Sequence, residues 1–281
     1  MTPDQYCEEA AARSGSSFLA AFRFLPAERR RAITAFYAFC REVDDVVDEV
    51  HDDNVARAKL AWWRNEVAFT WAGQPQHPVM RALQPAIARY GLQESLLQEI
   101  IDGMQMDLEQ ARYARYDDLL LYCHRVAGVV GQVSAQIFGY QDPATLDYAH
   151  ELGIAFQLTN IIRDVGEDVR RGRIYLPVED LQRFNVPVDM LKRYEESEAF
   201  VQLMQFQIER AMAAYHHALS LLPAVDRKAQ RPGLVMAAIY RTTLEEIRLD
   251  GPGKVLNQRL SLPPLRKLWL AWKTWFLGIK S

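Results

Sequence analysis

The sequence predicts an all-α fold, and three observations carry that expectation. Apolar residues recur three and four positions apart along nearly the whole chain, which is the spacing that gives a helix one buried face. No stretch alternates apolar and polar residues as a half-buried strand would. Prolines and small polar residues stand where helical patterns begin, and glycines stand where several of them end.

Taken in order, Thr2-Pro3-Asp4-Gln5 reads as an N-cap, a proline in the first turn and a capping-box glutamine. Pro26 opens a long helix through about Val50, and a third runs from Asp53 to Trp71, stopped by Gly73. Segments at 78–90, 93–112 and 116–139 follow; Pro85 should kink or shorten the first, because it lacks an N–H. Asp142-Pro143 starts a helix to about Arg171, which Gly172 ends. Tyr175 to Pro187 reads as a loop with room for one helical turn, and helices fit 196–222, 231–249 and 264–279. No 20–50-residue period repeats and no Gly/Ser/Pro linker intervenes, so one domain is expected over 1–281.

Composition narrows the function classes. Of 281 residues, 49% are apolar and 25% charged, an ordinary globular balance with enough for a sizeable core. The net charge of −3, with no basic tract through the body, speaks against a nucleic-acid partner. Cys7, Cys40 and Cys123 are far apart, without metal-site spacing, and are expected to be reduced and buried. The N-terminus lacks a signal-peptide pattern, and the apolar stretch 119–139 carries His124, Arg125, Gln132 and Gln136, too polar to span a bilayer. A cytoplasmic location is expected.

Two acidic stripes point to chemistry. Tyr37, Arg41, Asp44 and Asp48 follow 4-3-4 spacing, with Asp45 beside them. Gln157, Asn160, Asp164, Asp168 and Arg171 follow 3-4-4-3 spacing on another helix. Residues four apart share a helix face, so each pair of carboxylates can share a divalent ion. Hard ions such as Mg²⁺ take oxygen ligands and are completed by substrate phosphates. A solvated helix face explains one such stripe as well, but two together in apolar flanks favour a site. Other metal and cofactor sites fit worse: the chain has no EF-hand loop, no Glu-x-x-His pair, no Gly-rich phosphate loop and no Gly-x-Gly-x-x-Gly.

Around the stripes, Ser14-Gly15-Ser16-Ser17 can hold phosphate or simply cap a helix. Arg163, Arg171 and Arg173 can grip phosphate oxygens or neutralise the neighbouring carboxylates. Ala127, Gly128, Gly131, Ser134 and Ala135 put small residues at helical spacing, which permits either close packing, the commoner outcome, or a tunnel. Tyr122, one turn earlier, can stabilise a cation or relay a proton, although an ordinary phenol is a weak base. His124 is given no role.

At these residues the chain resembles the squalene/phytoene synthase family of head-to-head prenyl transferases. The likeness rests on Asp44-Asp45-x-x-Asp48, on Tyr122 to Gly131, and on the long run from Phe156 to Pro177, and it spans roughly residues 14–250. Tyr37 to Glu49, Leu60-Ala-Trp-Trp-Arg64 and Ile100 to Met104 resemble most the bacterial branch that makes presqualene diphosphate for hopanoids. The resemblance implies a prenyl synthase fold with a central cavity, Mg²⁺ as cofactor and two farnesyl diphosphates as substrates. It implies metal-linked roles for Asp44, Asp48, Asn160, Asp164 and Asp168, with Gln157 lining the same site. Arg41, Arg163 and Arg173 would contact phosphate beside Ser16 and Ser17; Tyr122 would lie at the reaction centre, with Tyr37, Tyr175 and Tyr240 as further candidates. Val47 stands where eukaryotic squalene synthases carry an acid, and their C-terminal membrane span has no counterpart here; NADPH is therefore not expected. The alternatives are a complete NADPH-dependent squalene synthase, a phytoene or dehydrosqualene synthase, or an inactive helical assembly factor.

In the C-terminal segment, Leu265, Leu268, Trp269, Trp272, Phe276 and Ile279 fall on one helical face, and Arg266, Lys267, Lys273 and Lys280 add charge without any acid. Such a helix suits a membrane interface or docks on the core; downstream pathway enzymes are further expected partners.

Overall fold

The computed structural model describes residues 1–13, 21–50 and 52–278. Among them the regular structure is helical, and the one β-bridge, Arg112 to Ile174, is isolated. Helix α1 (Pro3–Arg13) starts with the expected reciprocal cap: Gln5 N–H donates to Thr2 Oγ1 at 3.2 Å and Thr2 N–H to Gln5 Oε1 at 2.9 Å. Helix α2 (Ala27–Glu49) carries the first acidic stripe, and α3 (Asp53–Trp71) is capped by Asp52. Helix α4 (Pro78–Tyr90) runs through Pro85 without stopping, because Val79, Met80, Leu83 and Ala86 are buried on one face and hold it in place.

Helix α5 (Glu94–Glu109) is followed by α6 (Tyr116–Cys123), a π-turn (His124–Gly128) and α7 (Val129–Phe138). The expected single helix over 116–139 is thus locally widened just after Tyr122. Helix α8 (Ala144–Arg170) is central and carries the second stripe; residues from Thr145 to Val169 are buried on most of its circumference. The expected loop after Tyr175 contains α9 (Val178–Arg183), and the short α10 (Val188–Lys192), not foreseen, follows it. Helices α11 (Glu198–Leu221), α12 (Arg231–Asp250) and α13 (Pro264–Leu277) complete the chain.

Side chains pack into two apolar clusters. One centres on α8 and α11, the other on α2 to α5 with α7; Val126, Phe156 and Tyr240 touch both. The small-residue stripe serves packing, not a tunnel. A Cβ on Gly131 would lie 2.1 Å from the Ala149 carbonyl oxygen, and one on Gly153 would lie 2.2 Å from that of Ala127. Helix α7 and the π-turn therefore cross α8 at backbone contact distance. Cys7 and Cys123 are buried, Cys40 is half-buried, and all three are free.

Because backbone is the obstacle, Gly153→Ala should cost about 3 kcal/mol of stability. Urea denaturation monitored by circular dichroism measures it, and an unchanged midpoint would mean the crossing has slack.

Candidate active site

The two stripes meet through their arginines. Gly172, with φ of +80°, ends α8 in a conformation that glycine adopts at little cost. That turn brings Arg173 back, its N–H donating to the Asp168 carbonyl at 2.9 Å. Its side chain then reaches α2: Arg173 Nη1 donates to Asp48 Oδ1 at 2.8 Å and Nη2 to the Val47 carbonyl at 2.8 Å. Arg171 holds the other oxygen of Asp48 at 2.9 Å.

The segment after Arg173 lies along the chain leaving α5. Ile174 pairs with Arg112, and Val178 N–H donates to the Tyr113 carbonyl at 2.9 Å. This places Tyr175 over Asp107, a carboxylate that sequence reasoning missed. Tyr175 OH donates to Asp107 Oδ1 at 2.7 Å, and Tyr122 OH donates to Oδ2 at 3.0 Å. The two phenol rings stack at 5.2 Å between centroids. Asp107 has glycine at i−4 and alanine at i+4, so a search for paired carboxylates passes over it. Its signal was an acid without a carboxylate at i±3 or i±4, flanked by Met104, Met106 and Leu108.

Electrostatics tie these groups into one centre. Burial, then repulsion from Asp48, pushes Asp44 up to about 7. Burial, then Asp164, pushes Asp168 up to about 7. Asp107 rises to about 6 through burial, opposed by Arg173 and by both tyrosine hydroxyls. Asp107 also repels Asp44 and Asp168, so it lies between the stripes. Burial and Asp107 together hold Tyr122 and Tyr175 well above the ordinary phenol range.

A second group surrounds Asp164. Arg163 binds it through Nε at 2.8 Å and Nη2 at 2.5 Å, and also hydrogen-bonds with Tyr240. Arg259, which the sequence did not single out, reaches Asp164 at 2.9 Å and Glu167 at 3.4 Å. Tyr37 lies within electrostatic range of Arg41 and Tyr240. Asn160 donates to Gln157 Oε1 at 3.2 Å, while its own buried Oδ1 accepts nothing. Arg41 grips Asp44 at 2.5 Å and also pairs with Asp45. A cavity of about 770 Å³ opens on that flank, lined by Arg41, Asp45, Lys59, Trp63 and His77. His124, Nδ1 to His150 Nε2 at 2.7 Å, joins a network with Glu99 and Glu151 outside this centre. Ser16 and Ser17 lie outside the described residues.

Among the described residues no three acidic, His or Cys groups converge on one ion position; guanidinium groups stand against the carboxylates instead. The donor set nevertheless suits a hard cation. It consists of oxygen ligands, two carboxyls are pushed up by burial and then by like charge, and a buried amide oxygen is left over. Mg²⁺ is commonly bound through one or two carboxylates with substrate phosphates completing the shell.

Asp44, Asp107 and Asp168 titrate higher folded than unfolded, where an ordinary aspartate sits near 4. The stability they contribute is thus full below about pH 4 and falls as pH rises toward 7. Cation binding needs the ionised forms and should release protons near pH 7. Calorimetric titration of Mg²⁺ with inorganic diphosphate, in buffers of different ionisation heat, should report that release. Zero net release would mean that the carboxyls are already ionised.

Comparison with known proteins agrees with this geometry. Residues 11–266 match the family model for squalene/phytoene synthase. A phytoene synthase from Arthrospira platensis is 36% identical over 277 residues, covering 94% of this chain and 89% of its own. A dehydrosqualene synthase solved with a ligand superposes with a TM-score of 0.87 at 30% identity, covering 96% of this chain and 94% of its own. A squalene synthase from Alicyclobacillus acidocaldarius superposes with a TM-score of 0.77 at 28% identity, over 89% and 94% of the two chains. An all-α fold, two facing aspartate-rich helices and these likenesses lead to one assignment: the chain belongs to the squalene/phytoene synthase family of head-to-head prenyl transferases.

Proposed function

We propose that the protein condenses two farnesyl diphosphates head to head to presqualene diphosphate, releasing one diphosphate, on the way to squalene and hopanoids. The observation that carries this reading is the bridging of the two aspartate-rich helices by Arg171 and Arg173 on Asp48, with Asp107 between them. In this reading Asp44, Asp48, Asn160, Asp164 and Asp168 hold Mg²⁺. When bound, the metal supplies charge neutralisation at the diphosphates.

The chain's own residues do the rest. Arg41, Arg163 and Arg173, helped by Ser16, Ser17 and Gln157, bind phosphate oxygens, each arginine being held ready by a carboxylate it can exchange. The C1–O bond of one substrate breaks, and the allylic cation is attacked by the C2–C3 double bond of the second. Proton loss then closes the cyclopropane. The strongly raised pKa of Tyr122 supports a neutral phenol that stabilises positive charge, with Tyr175 beside it. The same fact argues against Tyr122 as the base; Asp107 or the released diphosphate is the better acceptor. Tyr37 and Tyr240 line the apolar boundary where water must be kept from the cation. NADPH takes no part. A product with a C30 apolar body and a diphosphate head also argues for work at the inner face of the cell membrane, with the C-terminal helix in contact and pathway enzymes downstream.

A second reading has a specific observation in its favour. The likeness to phytoene synthase at 36% identity supports geranylgeranyl diphosphate as substrate and a C40 product. Incubation with each diphosphate and Mg²⁺, with and without NADPH, followed by mass spectrometry, decides. Presqualene diphosphate in both farnesyl samples is the expected result. Turnover of geranylgeranyl diphosphate alone, or squalene formed only with NADPH, would replace it. Asp48→Asn and Asp168→Asn should each lower turnover by about a thousandfold or more without unfolding the chain, and Asp107→Asn by about tenfold or more. Near-normal rates in the first two would mean the metal is elsewhere.

A further inference from the structure

Helix α13 docks by one side only. Ala271 and Thr274 are buried, and Trp275 packs on Phe24 at 4.9 Å between ring centroids and under Arg231. The opposite side is uncovered: Leu265, Leu268, Trp269, Trp272 and Phe276 are 47–80% exposed. At 100° per residue these five occupy an arc of about 100°, a continuous apolar stripe. A monomeric soluble surface seldom leaves two tryptophans and a phenylalanine in one strip without a partner.

Charge says which partner. No acidic residue follows Asp250; of the cations that do, Lys254, Arg259 and Arg266 pair with Asp250, Asp164 and Glu246, and Lys267 and Lys273 supply the remaining charge on the described helix. Lys273 falls on one edge of the stripe by the same arithmetic, 4.8 Å from the centre of the Trp269 ring; Arg266 on that edge is paired with Glu246 at 2.6 Å. A tryptophan-rich face edged by cations matches an anionic bilayer surface, with the rings at headgroup level. No described helix is long and apolar enough to cross a membrane, so the geometry lies on the bilayer and does not span it. The helix is also anchored beside the second acidic stripe, since Arg259 in the connecting segment pairs with Asp164 and Glu167. The start of α13 therefore lies near the second acidic stripe.

We infer that α13 is an interfacial helix that seats the protein on anionic lipid through Leu265, Leu268, Trp269, Trp272 and Phe276. This deepens the proposed membrane position and does not depend on which prenyl diphosphate is used. The test is flotation of the full chain with phosphatidylcholine vesicles and with vesicles that also contain phosphatidylglycerol. The wild type should float with the anionic vesicles, less so at high salt. A Trp269→Ser/Trp272→Ser/Phe276→Ser variant should lose about tenfold or more of that binding, with its melting temperature and turnover of soluble substrate kept. Lys273→Glu should weaken binding to the anionic vesicles alone. A wild type that stays unbound, or a triple variant that floats equally well, overturns the inference. So does a wild type that forms a dimer by light scattering and does not float while the triple variant is monomeric, because a second copy then covers the stripe. Turnover is read separately, so loss of the catalytic reading leaves this result standing.

Discussion

The structure is organised around a concentration of negative charge that it does not fully neutralise. Asp44 and Asp48 on α2, Asp107 on α5 and Asp168 on α8 repel one another in a partly buried space. Water would disperse that repulsion, and burial removes the water. What remains is met by guanidinium groups from the end of α8 and by two tyrosine hydroxyls. Such an arrangement is costly for a merely structural purpose, since apolar residues of similar size would fill the space more cheaply. The proposed cation-dependent reaction on an anionic substrate gives it a purpose.

Holding these groups in register needs stiff neighbours. The glycine contacts between α7 and α8 set their separation by backbone atoms, which cannot rotate away as side chains do. The π-turn between Cys123 and Val129 adjusts the phase of the helix just after Tyr122. Tyr122 thereby faces Asp107 while α7 keeps its packing on α8. Gly172 performs the corresponding task at the other end of α8, turning the chain so that Arg173 returns to Asp48.

Much of this was legible in the sequence because helical spacing encodes it. The 4-3-4 stripe around Asp44 and the 3-4-4-3 stripe around Asp164 needed no tertiary information, nor did the stop at Gly172. Asp107 was not legible: its partners, Tyr122 and Tyr175, come from distant elements, and one carboxylate among the five of its helix reads as an exposed residue. Arg259 was missed for a similar reason, lying in a connecting segment with no periodicity. Pro85 misled in the opposite direction, because the local cost of a missing N–H was outweighed by burial of its helix face. The C-terminal helix presented two readings, membrane contact or docking, and it docks by one side while leaving the predicted apolar face open from Leu265 to Phe276; Ile279 and Lys280 lie outside the described residues. Chain length of the substrate depends on cavity depth, which helical spacing does not encode.

The arginines are then best understood as exchangeable partners and not as permanent locks. Arg163 with Asp164 and Arg173 with Asp48 are largely screened from solvent, at 17–24% exposure. Removing the carboxylate of such a pair strands its buried arginine, which is strongly unfavourable. Replacing one carboxylate partner by a diphosphate oxygen strands neither, provided a cation takes over the carboxylate. Binding of anion and cation together therefore costs far less than binding of either alone. On this argument affinity for metal and for diphosphate must rise together, each raising the other by the same factor. The same coupling disfavours mono-anionic ligands, which bring too little charge to release both pairs at once.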